Sequence, residues 1–141
     1  MYQFFLICLG GALGAGARFG ANTLIGEYGR RWFSTTVLFY VGTLAVNVTG
    51  CFLAGFVASL SEPFGHAWLK SEWRDFLIIG FCGGYTTLSS YGLQSLALMK
   101  EGEWLHLGVN ILASNILGLV AVWIGWVCGK FLHARFGNSS G

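Results

Sequence analysis

Charge is scarce in this chain. Lys, Arg, Asp and Glu together make up 10% of its 141 residues, against about 25% in an ordinary soluble domain. So little charge cannot cover a water-facing surface, and the mean hydropathy of +0.64 points the same way. Acidic residues number six, and none lies inside a long apolar run. Proton- and cation-coupled transporters usually keep a carboxylate at membrane depth, so that class has no support. Proline occurs once, at Pro63. The cysteines Cys8, Cys51, Cys82 and Cys128 lie far apart in apolar segments and form no C-x-x-C pair. They read as small buried hydrophobes rather than as a metal site or disulfide scaffold. The net charge of +2 comes with no basic run for nucleic acid and no acidic tail for a soluble partner. No Lys or Arg precedes Arg18, so the first apolar stretch lacks the positive start of a signal peptide and is kept as a mature helix. Neither a nucleotide motif nor a nucleophile triad occurs, and an enzyme is not expected.

Long apolar runs are what the chain has instead. A membrane-spanning helix needs about 20 mostly apolar residues. Four stretches meet that length: Tyr2 to Ile25, Val37 to Leu60, Phe76 to Met99 and Trp104 to Leu132. The links between them hold Glu27, Arg30 and Arg31, then Ser61-Glu62-Pro63 with His66, Lys70, Glu72, Arg74 and Asp75, then Lys100-Glu101-Gly102-Glu103. Trp32, Trp68, Trp73 and Trp104 sit at span edges, as an interfacial aromatic belt requires. The fold class is therefore an all-α integral membrane protein: one domain of four transmembrane helices over 1–132, with a loose polar tail over 133–141.

Charge does not orient this bundle. With the N-terminus inside, Lys70, Arg74, Lys130 and Arg135 share one side and Arg18, Arg30, Arg31 and Lys100 the other. Positive charge then favours neither side. Either the chain inserts both ways or a weak bias picks one.

Glycine is plentiful, at 22 residues. Gly10, Gly11, Gly14, Gly16, Gly20, Gly50 and Gly55 place small surfaces on helix faces, where neighbouring backbones can approach in lipid. In the third span, Gly83-Gly84-Tyr85-Thr86-Thr87 makes a poor continuous helix. A break is expected between Gly83 and Thr87. At membrane depth, irregular backbone is tolerated only against protein or a cavity. Its freed carbonyls suit a cation and its freed N–H groups an anion. A kinked helix without ligand is the plainer alternative.

The polar groups inside the spans are neutral or donors. Arg18 is the one charge well inside a span, Lys130 lying at the very end of the fourth. Thr43 and Asn47 lie four apart in the second span, and His106, Asn110, Ser114 and Gly118 recur every four residues in the fourth. Such spacing puts each set on one helix face, facing either a water path or helix-to-helix hydrogen bonds. A donor-rich, acid-free interior fits an anion.

Three patterns together resemble the small fluoride channels of the Fluc/CrcB family. They are Gly10-Gly11-x-x-Gly14-x-x-x-Arg18, Gly42-Thr43-Leu44-x-x-Asn47-x-x-Gly50 and Gly83-Gly84-x-Thr86-Thr87. The resemblance covers nearly the whole chain. It implies passive fluoride export across the inner (plasma) membrane by an antiparallel, dual-topology homodimer with two fluoride pathways. It implies a structural sodium ion at the dimer centre, held by the backbone carbonyls of Gly83 and Thr86. It also implies a path lined by Asn47, Thr43, Thr87, Leu88, Ser90, Tyr91, Asn110 and Ser114, with Arg18 drawing anions at a vestibule. The chain departs from the family after the break. Leu88 and Tyr91 stand where two pore phenylalanines are usual, and His106 where asparagine is common. Two rival readings remain. A small multidrug exporter would need a glutamate buried in the first span. A non-conducting partner subunit of a heteromeric channel would explain the lost phenylalanines.

Overall fold

The computed structural model describes residues 1–61 and 68–136. Pro63 and His66 of the second link, and tail residues 137–141, lie outside the described residues. Every described regular element is helical. Helix α1 spans Tyr2–Gly29 and α2 spans Thr35–Ser59. A third traverse is assembled from α3 (Ser71–Asp75), a π-helical segment (Phe76–Cys82), α4 (Gly83–Tyr85) and α5 (Leu88–Lys100). Helix α6 runs over Trp104–Phe136. The last helix thus continues past Leu132, and residues 133–136 belong to it rather than to the tail. Among the described residues, three helices are long and apolar enough to cross a membrane: Tyr2–Gly29, Tyr40–Ser59 and Trp104–Arg135. The third traverse falls short of that length as a single helix because it is interrupted.

Glycine sets the packing. In α1, a Cβ on Gly10 would come within 2.5 Å of the Phe76 carbonyl oxygen, and one on Gly14 would strike the Phe81 carbonyl. From the other side, a Cβ on Gly84 would strike the Gly11 carbonyl. Backbone thus lies directly on backbone between α1 and the third traverse. A second seam joins α2 to α6, where Gly55 meets the Val122 carbonyl and Gly125 the Phe52 carbonyl. Gly16 and Gly20 meet nothing within 4 Å, so the small-residue face of α1 is only partly used inside this chain. Gly14→Ala is expected to destabilise the protein by about 1–3 kcal/mol, whereas Gly16→Ala, which clashes with nothing in this chain, should cost far less. Thermal unfolding of the two purified variants checks this.

The ends are pinned by polar contacts. Asp75, 7% exposed, accepts from Gln3 Nε2 and from Arg74 Nε and NH2 at 2.9 and 2.8 Å. A residue of the charged link thereby ties the start of the third traverse to the start of α1. Ser34 Oγ caps α2 through the Val37 N–H. Gly102, at φ +74°, makes the left-handed turn between α5 and α6 that other residues rarely adopt. Trp32, Trp68, Trp73 and Trp104 are all exposed, as a belt at the membrane surface requires. Only Cys82 of the cysteines is buried. Cys51 is half-buried, and Cys8 and Cys128 are exposed, because both lie on helix faces without a neighbour in this chain.

Candidate functional site

The third traverse breaks at Thr86–Thr87, and the glycines are not what breaks it. Gly83 and Gly84 stay helical within α4, and Gly84 serves the close approach to α1. The interruption is made by the two β-branched residues, which favour extended backbone. Thr86 sits at φ −76°, ψ 159° and Thr87 at φ −147°, ψ 100°.

Such a break leaves backbone groups without ladder partners, and Asn47 on α2 supplies two of them. Its Oδ1 accepts from the Thr87 N–H at 2.7 Å, and its Nδ2 donates to the Thr87 carbonyl at 3.3 Å. One amide thus engages both backbone groups of one residue, bridging the two successive peptides that flank Thr87. An amide nitrogen carries two hydrogens, so one N–H of Asn47 remains for another acceptor. Thr87 then restarts the helix as the N-cap of α5. Its Oγ1 accepts from the Ser90 N–H at 3.2 Å and donates to Ser90 Oγ at 2.9 Å.

These substitutions free particular carbonyls. In a continuous helix Gly83 would receive the Thr87 N–H and Thr86 the Ser90 N–H. Both donors are diverted, to Asn47 Oδ1 and Thr87 Oγ1. The Thr86 carbonyl accepts from Arg18 NH1 at 3.4 Å. No group of three or more His, Cys, Asp or Glu that could hold a metal occurs among the described residues. A hard cation takes oxygen ligands, and the freed carbonyls of Gly83 and Thr86 are groups of that kind.

From the break, polar pairs continue along the antiparallel α2 and α5. One turn back on α2, about 6 Å along the axis, Thr43 accepts from Gln94 Nε2 at 2.6 Å. Both residues are buried. Ser95 on α5 then accepts from Asn110 Nδ2 of α6 at 3.2 Å. Asn110 opens onto a groove of about 460 Å³ between α2, the end of α5 and α6, lined by Tyr40, Leu44, Leu98, Glu101, His106 and others.

The structure thus brings Arg18, Asn47, Thr86, Thr87 and Ser90 together at the break, and Thr43 and Asn110 into the continuing track. The four-residue stripe on α6 does not act as one face. His106 is exposed and pairs with Glu103 at 2.9 Å, Asn110 turns to α5, and Gly118 is buried beside Cys51 of α2. Ser114 and Tyr91 are half-buried. Leu88 stands at the break but is 79% exposed, on a face that this chain does not cover. Gln94 and Ser95 are functional residues that sequence reasoning did not single out, because only the packing of α5 reveals their partners. Glu101 and Glu103 at the groove mouth were readable only as link charges.

Comparison with known proteins places the chain in a family. The family described as CrcB-like protein, Camphor Resistance (CrcB), matches residues 5–126. The chain belongs to the CrcB family. A fluoride-specific ion channel FluC of Opitutus terrae is 40% identical over 138 residues, covering 98% of this chain and all of the relative. One from Parabacteroides distasonis is 42% identical over 132 residues, covering 92% of this chain and 94% of the relative. One from Paramagnetospirillum magneticum is 38% identical over 133 residues, covering 94% and 99%.

Proposed function

We propose that this protein is a passive channel that lets fluoride leave the cytoplasm, with no enzymatic step. The observation that carries it is the run of neutral donor groups from the broken traverse to the groove, inside spans that contain no carboxylate. The names of the relatives support the ion. Hydrogen fluoride crosses membranes as a neutral acid and ionises inside, so fluoride accumulates unless it has a way out. Remaining N–H and O–H groups of Asn47, Ser90, Asn110 and Ser114 replace water around the small, hard ion, while Thr87, whose N–H goes to Asn47 and whose O–H goes to Ser90, shapes the path. Larger anions fit such a path poorly. Arg18 places a positive charge beside the entrance to it.

The working unit we propose is an antiparallel homodimer in the plasma membrane. Two features support it: the uncovered faces of Leu88 and Gly16, and the absence of an orienting charge bias. Gly83 and Thr86 of each copy would hold a shared sodium ion, which supplies fixed positive charge near the anion path. With the four native cysteines replaced, a cysteine placed at the exposed Glu101 should be labelled from both sides of the membrane. Labelling from one side alone rejects dual topology.

Growth tests the function. Expressed in a bacterium made fluoride-sensitive by loss of its own export, the chain should restore growth on fluoride medium. Failure to restore growth, with the protein present in the membrane, rejects the proposal. One observation favours the second reading, a partner subunit: Leu88 offers no ring edge, whose partial positive charge attracts anions. Leu88→Phe is therefore expected to raise fluoride flux by about threefold. Unchanged flux means the pathway does not run past this side chain.

A further inference from the structure

Arg18 lies deep within α1 and is half-buried. The ion pairs among the described residues are Arg74–Asp75 and His106–Glu103, so its charge is met by a backbone dipole and not by a carboxylate. A guanidinium keeps its charge at any ordinary pH and only donates. The oxygen it reaches is the Thr86 carbonyl, at 3.4 Å. That same oxygen has lost its helical donor, because the Ser90 N–H turns to Thr87 Oγ1. It is also one of the two oxygens assigned above to an alkali ion. A carbonyl has two lone pairs and can accept twice, but here both claimants are cations.

We propose that Arg18 sets the alkali-ion affinity of the break by competing for the Thr86 carbonyl. This rests on the sodium reading of Gly83 and Thr86 given above. Two like charges at one oxygen, away from bulk water, repel strongly. The ion binds fully only as the guanidinium withdraws along its flexible stem. Arg18 thereby makes the cation site weaker than its oxygens alone would make it. When the guanidinium leaves Thr86 it remains beside the break, close to the peptide that Asn47 clasps, where it adds positive charge to the anion path. Cation binding and anion attraction are coupled through one side chain.

The experiment uses the purified full-length protein in detergent. Its unfolding midpoint is followed as sodium replaces N-methylglucamine at constant ionic strength. The wild type should be stabilised by sodium, and Arg18→Gln should reach half of that stabilisation at a sodium concentration at least about fivefold lower. Arg18→Lys, which keeps the charge, should stay nearer the wild type. Should Arg18→Gln not fold, Asn22→Asp gives the same test from outside the site. A carboxylate four residues along α1 can pair with Arg18 and draw it from Thr86, again lowering the required sodium. Equal half-points in the wild type and these variants, with sodium stabilising all of them, overturn the competition and leave the sodium reading standing. No sodium effect on any of them overturns both.

Discussion

Replacing Asn47 with leucine is expected to cut fluoride efflux from proteoliposomes by at least about tenfold and to lower the unfolding midpoint of the purified protein. Both effects follow from one geometry. The amide accepts from the Thr87 N–H and donates to the Thr87 carbonyl, so leucine leaves both backbone groups of Thr87 in the membrane interior without partners. Each orphaned group costs about 1–3 kcal/mol. The remaining amide N–H, the one offered to the ion, is lost as well. Asn47→Asp separates the two roles. It keeps an acceptor for Thr87 and removes the donor, so it should retain more stability than leucine while still losing flux. Wild-type flux in both variants would mean that Asn47 only packs.

The second large effect comes from adding what the interior lacks. Ser114→Asp should reduce fluoride flux at pH 7 by about a hundredfold, because a fixed negative charge some 6 Å from a passing anion, at an effective dielectric near 20, raises its energy by about 3 kcal/mol. Ser114→Asn, neutral and polar, should keep most of the flux. Equal losses in both variants would assign the effect to size and not to charge, and would weaken the place given to α6 in the path.

Much of this was legible in the sequence, for identifiable reasons. Span lengths follow from hydropathy alone, since these helices are mostly apolar all round and their polar residues are few and mostly uncharged. The break was visible because Gly-Gly-x-Thr-Thr is a poor helix on any account. Its mechanism was not. Single-residue propensity blames Gly83 and Gly84, yet a glycine pressed against another backbone stays helical, and Gly84 is held against Gly11. Thr86 and Thr87 make the break because Asn47, 40 residues away in sequence, satisfies the peptide that the helix gives up. No local rule can see such a partner. The same limit hid the Gln94–Thr43 and Asn110–Ser95 pairs and the link of Gln3 to Asp75. Helical periodicity also overestimated the α6 stripe. Four-residue steps drift around the helix by about 40° each, so His106 and Gly118 end on different faces.

The most direct measurement is paired efflux from the same proteoliposomes. Vesicles containing the purified chain and loaded with equal fluoride and chloride are read by two ion-selective electrodes after the membrane potential is clamped. Rapid loss of fluoride with chloride retained is the result the donor-lined path predicts. Release of both anions at one rate, or retention of both by vesicles shown to contain folded protein, contradicts it.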